Sequence, residues 1–233
     1  MSTSDCPFTE SAGPSPGFGL RWAQAGWLLL VLILAGGWGC TKPPAPTEGY
    51  NTMARGIGLL EQYDYAGAYK LFSSLCESFP AWEAAWVNRG IAGLNLQDEN
   101  KCIPNMKKAL ELNPGNPHAL LVLGIQYKHL RRMDEALDLF RKVIARDPDD
   151  PHGHYYVGEI LAERADREGA VRHLRRALQL QPSFASAWYR LANLHRREER
   201  ELRTGMLNEF KRLKNAGAGI LVGSKYGEGG RYS

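Results

Sequence analysis

Residues 117–150 read PHALLVLGIQYKHLRRMDEALDLFRKVIARDPDD, and these 34 residues spell out two helices and a stop. Pro117 suits a first helical turn, where its missing N–H would have no intrahelical partner anyway. Leu120, Leu123, Gly124 and Tyr127 follow at spacings of three and four, which marks one face of an α-helix. The first helix ends near Leu130-Arg131-Arg132, where basic side chains meet the carbonyls of a helix C-terminus. Asp134 is the expected N-cap of a second helix. Ala136, Leu137, Phe140, Val143 and Ile144 make its buried stripe. Pro148 cannot continue that helix and drives Asp147 into an extended conformation.

The same punctuation recurs on both sides with one period. Pro80, Pro114, Pro148 and Pro182 lie 34 residues apart, and Gly56, Gly90, Gly124 and Gly158 keep the same step, continued by Ala192. Ala68, Cys102, Ala136 and Ala170 form a series of small residues, and Phe72, Met106, Phe140 and Leu174 a series of large ones. Helix axes about 8–10 Å apart leave no room for bulk at a crossing, so the small residues mark where helices meet and the large ones fill the space beside them. Repeats therefore span 49–82, 83–116, 117–150, 151–184 and 185–218. In the fifth, Trp188, Leu191 and Ala192 hold register, but Thr204 and Asn208 stand at the small and large positions. Its second helix is expected to use Leu202, Met206, Phe210 and Leu213 as a shifted apolar stripe and to cap the array with a polar outer face. The Gly-rich residues 219–233 are expected to be a flexible tail.

Leu-Gly, then Tyr, Ala, Phe and Pro at these offsets resembles the tetratricopeptide repeat family across residues 49–218. The resemblance implies an all-α fold, a right-handed α-solenoid of about five helix-turn-helix repeats, serving as a protein-binding scaffold. It also implies a groove lined by the second, fifth, ninth, twelfth and thirteenth residues of each first helix. Ile57, Leu60, Val87, Ile91 and Leu94 fall on that surface in the first two repeats, and Leu121, Ile125 and Lys128 in the third. Tyr155, Glu159, Tyr189, Asn193, Arg196 and Arg197 complete it in the last two. The expected groove thus grades from apolar to polar and basic, which suits an extended peptide or a helix. The Lys and Asn clamp with which some relatives grip chaperone tails is absent from the fifth and ninth positions.

The N-terminus differs in kind. From Trp22 to Gly39 no residue is charged, and Leu28–Leu34 is a continuous apolar run. Ala35, Gly36, Gly37 and Gly39 then lead into Cys40, an arrangement that resembles a bacterial lipobox and implies Cys40 as the lipidated first residue of the mature chain. The run also just reaches bilayer-spanning length, so an uncleaved single-pass anchor stands beside the lipoprotein reading. Residues 1–40 are thus a signal or anchor, and the Pro-rich linker 41–48 is a semi-rigid spacer. Both readings put the repeats at a membrane surface; the lipoprotein reading makes them periplasmic or otherwise extracytoplasmic.

Composition narrows the function. The chain has 29 basic and 25 acidic residues, interleaved, for a net charge of +4. That lacks the concentrated basic face of a nucleic-acid binder. Its four cysteines show no CxxC spacing. His118 and His152 sit at equivalent positions one repeat apart, with His129 and His154 nearby, too widely spaced by the repeat to share a metal. No phosphate loop, nucleophile elbow or HExxH appears, so neither an enzyme nor a cofactor site is expected. The leading reading is a scaffold that binds a protein or peptide, with no small-molecule substrate evident. Two alternatives remain. The ending Phe210–Lys214 followed by Lys225–Tyr232 resembles the stretch that joins such repeats to FG-GAP-type propellers in larger exported bacterial proteins, which implies a downstream active domain. The other is an assembly factor for envelope complexes or cytochromes.

Overall fold

The computed structural model describes residues 47–195 and 199–222. The N-terminal run and Cys40 therefore lie outside the described residues, as do Arg196 and Arg197. Ten α-helices and no strand occupy the described part. In chain order they are α1 (Thr47–Glu61), α2 (Tyr65–Ser78), α3 (Glu83–Asn95), α4 (Glu99–Leu112), α5 (Pro117–His129), α6 (Met133–Arg146), α7 (Pro151–Glu163), α8 (Arg167–Leu180), α9 (Ala185–Leu194) and α10 (Arg200–Asn215). Every helix packs on its chain neighbours, and first helices also touch across repeats, α1 on α3, α3 on α5 and α7 on α9. The result is a solenoid of helical hairpins.

The glycine series sits where the sequence places it. A Cβ on Gly124 would lie 2.6 Å from the Phe140 ring, and one on Gly158 would lie 2.9 Å from Leu174. Gly56 meets Phe72 and Gly90 meets Met106 in the same way. Phe72, Met106, Phe140 and Leu174 are fully buried, as are Ala68, Cys102, Ala136 and Ala170. Each large residue thus spends its full apolar surface inside, about 1.5–3 kcal/mol apiece. The residues before the closing prolines, Phe79, Asn113, Asp147 and Gln181, end their helices with φ between −145° and −132°.

Four turns within the hairpins share a conformation that the sequence does not announce. Tyr63, Gln97, Arg131 and Ala165 have φ of 64°, 55°, 61° and 62°, the left-handed region that favours glycine. In each turn the next N–H reaches back five residues, as from Asp166 to the Leu161 carbonyl at 2.9 Å. That following residue caps the second helix where it is Asp64, Asp98 or Asp166, whose carboxylates accept from backbone N–H groups. In the third repeat the position is Arg132, which makes no such bond. Asp134 is not the N-cap expected from the sequence; it lies inside α6 and pairs with Arg164 at 2.5 Å.

Two other expectations change at the C-terminus. Leu213 is buried and Met206 and Phe210 are half-buried, but Leu202, expected on the same stripe, is 56 % exposed. The tail starts firmly: the Ile220 N–H donates to the Ser183 carbonyl at 2.8 Å and the Val222 N–H to Ser186 Oγ at 2.8 Å. Ile220 and Val222 pack against the core, so apolar contact holds the first residues of the Gly-rich segment in place.

Candidate protein-binding face

The first helices carry the expected groove residues, and the structure sorts them by depth. Ile57, Ile91, Leu94 and Ile125 are half-buried and edge the core. Tyr189 and Asn193 are exposed on α9. Leu60, Val87, Leu121, Tyr155 and Glu159 are instead buried, which departs from a groove-lining role. The physical reason is the contact between successive first helices. Tyr155, for example, stacks on Phe184 at the entry to α9 with ring centroids 4.8 Å apart. Leu60 has no exposed surface and belongs to the cluster around Phe72 and Leu75.

Glu159 holds the polar end together. Lys128 Nζ lies 2.6 Å from Glu159 Oε2, and Arg190 donates to Glu159 Oε1. The carboxylate is 2 % exposed, so one buried anion on α7 joins cations from α5 and α9. The three residues are 31 apart in sequence, a diagonal across three first helices. The Tyr155 hydroxyl is within hydrogen-bonding reach of Arg190 and Glu159, and burial, reinforced by the Glu159 charge, pushes its pKa up to about 12. It therefore remains a protonated donor at any physiological pH. Lys128 Nζ also lies 5.5 Å from the Tyr156 ring centroid.

Arg190 does not follow from the inward pattern, because it is the sixth residue of its helix. Its signal was the 31-residue spacing to Glu159, which differs from the repeat period by three residues, nearly one helical turn. The histidines group differently from their sequence spacing as well. His154 Nδ1 lies 3.1 Å from His173 Nδ1 on α8, and His154 Nε2 lies 3.0 Å from the Pro148 carbonyl. Burial holds the pKa values of His118, His129 and His173 below the ordinary imidazole value. For His129 the neighbouring Lys128 charge adds to that effect. Among the described residues no helix is long and apolar enough to cross a membrane.

Two family models, both described as tetratricopeptide repeat, match residues 98–159 and 151–194. Rat (Rattus norvegicus) Sperm-associated antigen 1 is 34 % identical over 107 residues, 46 % of this chain and 12 % of that protein. The chain thus spans about an eighth of the length of that relative. Among solved structures, a MamA double mutant (RS-1) aligns with a TM-score of 0.62 at 16 % identity, covering 75 % of this chain and 98 % of that one. YrrB, described as a TPR protein with an unusual peptide-binding site, aligns with a TM-score of 0.54 at 17 % identity, covering 70 % and 85 % of the two chains. The chain therefore carries tetratricopeptide repeats. Such repeats generally serve as non-enzymatic scaffolds for protein or peptide partners.

Proposed function

We propose that this chain is a membrane-tethered adaptor that holds a peptide or helix of a partner protein along the inner edge of its first helices. The observation that carries the reading is the grading of that edge. Ile57, Ile91, Leu94 and Ile125 offer half-buried apolar surface at one end. Lys128, Arg190 and Asn193 offer polar groups at the other. A bound segment would place its apolar side chains toward the N-terminal repeats and its polar part over α7 and α9. YrrB, a structural neighbour with a peptide-binding site, supports the class of ligand.

The tether rests on the uncharged run from Trp22 to Gly39 and on Cys40. Lipidation at Cys40 would leave the repeats outside the cytoplasm on the spacer that follows. Mass spectrometry of the mature N-terminus checks this part alone: a chain that keeps residues 1–39 and bears no lipid sinks lipidation and leaves the uncleaved single-pass anchor as the tether.

The groove is tested by photo-crosslinking from Ile91 and Asn193 in the native membrane. A common partner at both positions is the expected result. Polar substitution, Ile91→Asp with Ile125→Asp, should reduce capture at least about tenfold, since hot-spot losses typically exceed 2 kcal/mol. Unchanged capture in that variant, with melting unchanged, removes the groove reading.

A further inference from the structure

The fifth residue of each repeat differs in exposure along the array. Met53, Val87, Leu121 and Tyr155 are 7, 4, 4 and 2 % exposed, whereas Tyr189 is 45 % exposed. Phe184 shows what covers the fourth of these, and the residue one period after Phe184 is Ala218, which has no ring to offer. On α10, Leu202, Met206 and Phe210 follow at intervals of four, and the Phe210 ring lies 5.3 Å from that of Tyr189. A line of large apolar side chains, Leu202 exposed and Met206 and Phe210 half-buried, therefore runs along the C-terminal hairpin, and among the described residues no further first helix covers it.

The other end of the array is its counterpart. In repeats two to five the third residue of the first helix, Ala85, Ala119, Gly153 or Ala187, is buried. Gly153 shows why: a Cβ there would lie 3.1 Å from Ile144 and 3.3 Å from Val143 on the preceding second helix. In the first repeat the equivalent Asn51 is exposed, as is Ala54, and a Cβ on Gly58 would meet nothing within 4 Å. The N-terminal end thus offers a narrow helix face, and the C-terminal end offers large side chains. Their charges also oppose. Arg200, Arg203, Lys211, Arg212 and Lys214 outnumber Glu201 and Glu209 on α10, while Glu48, Glu61, Asp64 and Glu77 outnumber Arg55 and Lys70 on the first hairpin.

We propose that a second copy of this chain docks head to tail, with α1 of one copy seated against Tyr189, Leu202, Met206 and Phe210 of the other. Both the fit of narrow face to large side chains and the opposite charges favour this pairing over two like ends. The contact is heterologous, so it continues the array from copy to copy instead of closing a two-fold dimer. It uses the end faces and shares only Tyr189 with the expected groove.

The test is sedimentation velocity of the full chain in a mild detergent. One variant breaks the C-terminal face (Tyr189→Ser with Leu202→Glu) and another the N-terminal face (Asn51→Lys with Ala54→Arg). All four positions are exposed, so the melting temperature should hold, and an unchanged circular-dichroism melt is required of both. The wild type should associate into a ladder of oligomers that lengthens with concentration across the micromolar range. Each variant alone should associate at least about tenfold more weakly. An equimolar mixture of the two should recover dimers and nothing larger, since only one good pair of faces remains. A monomeric wild type, association that survives in either variant, or a mixture that stays monomeric overturns the proposal.

Discussion

Repeats one and two differ from repeats three to five in what fastens them. Ion pairs between repeats join the last three: Lys128 and Arg190 to Glu159, Arg131 to Glu163, Arg164 to Asp134, Arg176 to Asp149 and Arg167 to Glu199. Between the first two, apolar packing is joined by Arg89 and Lys101 over the Tyr69 ring, 4.9 and 5.7 Å from its centroid. The core of the first is the cluster around Phe72; Val87, Cys102, Met106 and Ala109 of the second belong to the larger cluster that runs through the later repeats, and Trp86 and Ile91 touch both. The first region also carries Pro104 inside α4. All six histidines fall at or after His118. One repeated design has thus been finished in two ways, with packing and cation–ring contacts at one end and packing plus ion pairs at the other. In a solenoid, where each unit rests on its neighbours, that difference decides where opening begins.

Removing the ring that faces a glycine should give the largest effect and separate the two regions. Phe140→Ala empties a fully buried site in the middle of the array and should cost about 3–5 kcal/mol. Phe72→Ala does the same in the terminal repeat, where the loss should stay local. Hydrogen exchange would show this as faster exchange in α1 and α2 alone for Phe72→Ala, and across α3 to α8 for Phe140→Ala. Equal spread in both variants would mean that the two regions open as one.

Pro104 allows the weaker region to be strengthened. A proline inside a helix removes a hydrogen bond and crowds the preceding turn, at a cost of about 3 kcal/mol. Pro104 is exposed, so Pro104→Ala should raise the stability of the second repeat by up to about that amount. Slower exchange of α3 and α4 is the readout, and no slowing would show that α4 already accommodates the ring.

Glu159→Gln probes the charged end. The substitution keeps shape and leaves Lys128 and Arg190 without their shared anion, which should cost about 1–3 kcal/mol. The lower part of that range is expected because Arg190 is 42 % exposed and can turn to water. Melting should show a loss that shrinks in high salt, whereas the Phe72→Ala loss should not. Acid should act on the same region. His118, His129 and His173 hold protons less tightly when folded than the unfolded value of 6.5. Below that pH the unfolded chain binds more protons, so stability falls as pH drops through 6.5 and levels off beneath the folded values. Protection factors, which remove the intrinsic pH dependence of exchange, should therefore fall in α5 and α8 between pH 7.5 and 5.5 while those in α1 and α2 stay unchanged.

What the sequence made legible was whatever repeats in residue type. Gly124 and Phe140 face each other because a glycine and a large residue recur 16 positions apart, and that spacing can be read directly. The cap of α6 is not Asp134 because the capping position, held by aspartate in three other repeats, is Arg132 here. Tyr155 and Glu159 look like groove residues on a helical wheel, since a wheel does not show that the next first helix covers them. Arg190 carries no such mark, because its role depends on a diagonal between helices and not on its place within one.

The left-handed turns are the last such case, and they give the smallest and most specific prediction. No glycine occupies residues 63, 97, 131 or 165, yet the turn imposes positive φ on each. An L-residue there is strained by roughly 1–2 kcal/mol, part of which glycine gives back through its freedom in the unfolded chain. Ala165 has only a methyl group to lose, so Ala165→Gly should stabilise the fourth repeat by about 0.5–1 kcal/mol. Tyr63 is the contrast in the other region, because its ring meets Tyr65 edge-on with centroids 6.3 Å apart. Tyr63→Gly should relieve the same backbone and forfeit that contact, leaving a smaller gain or none. Urea midpoints of the two variants settle the point: a fall on Ala165→Gly would show that the turn is not strained, and the two regions would then differ in their fastenings alone.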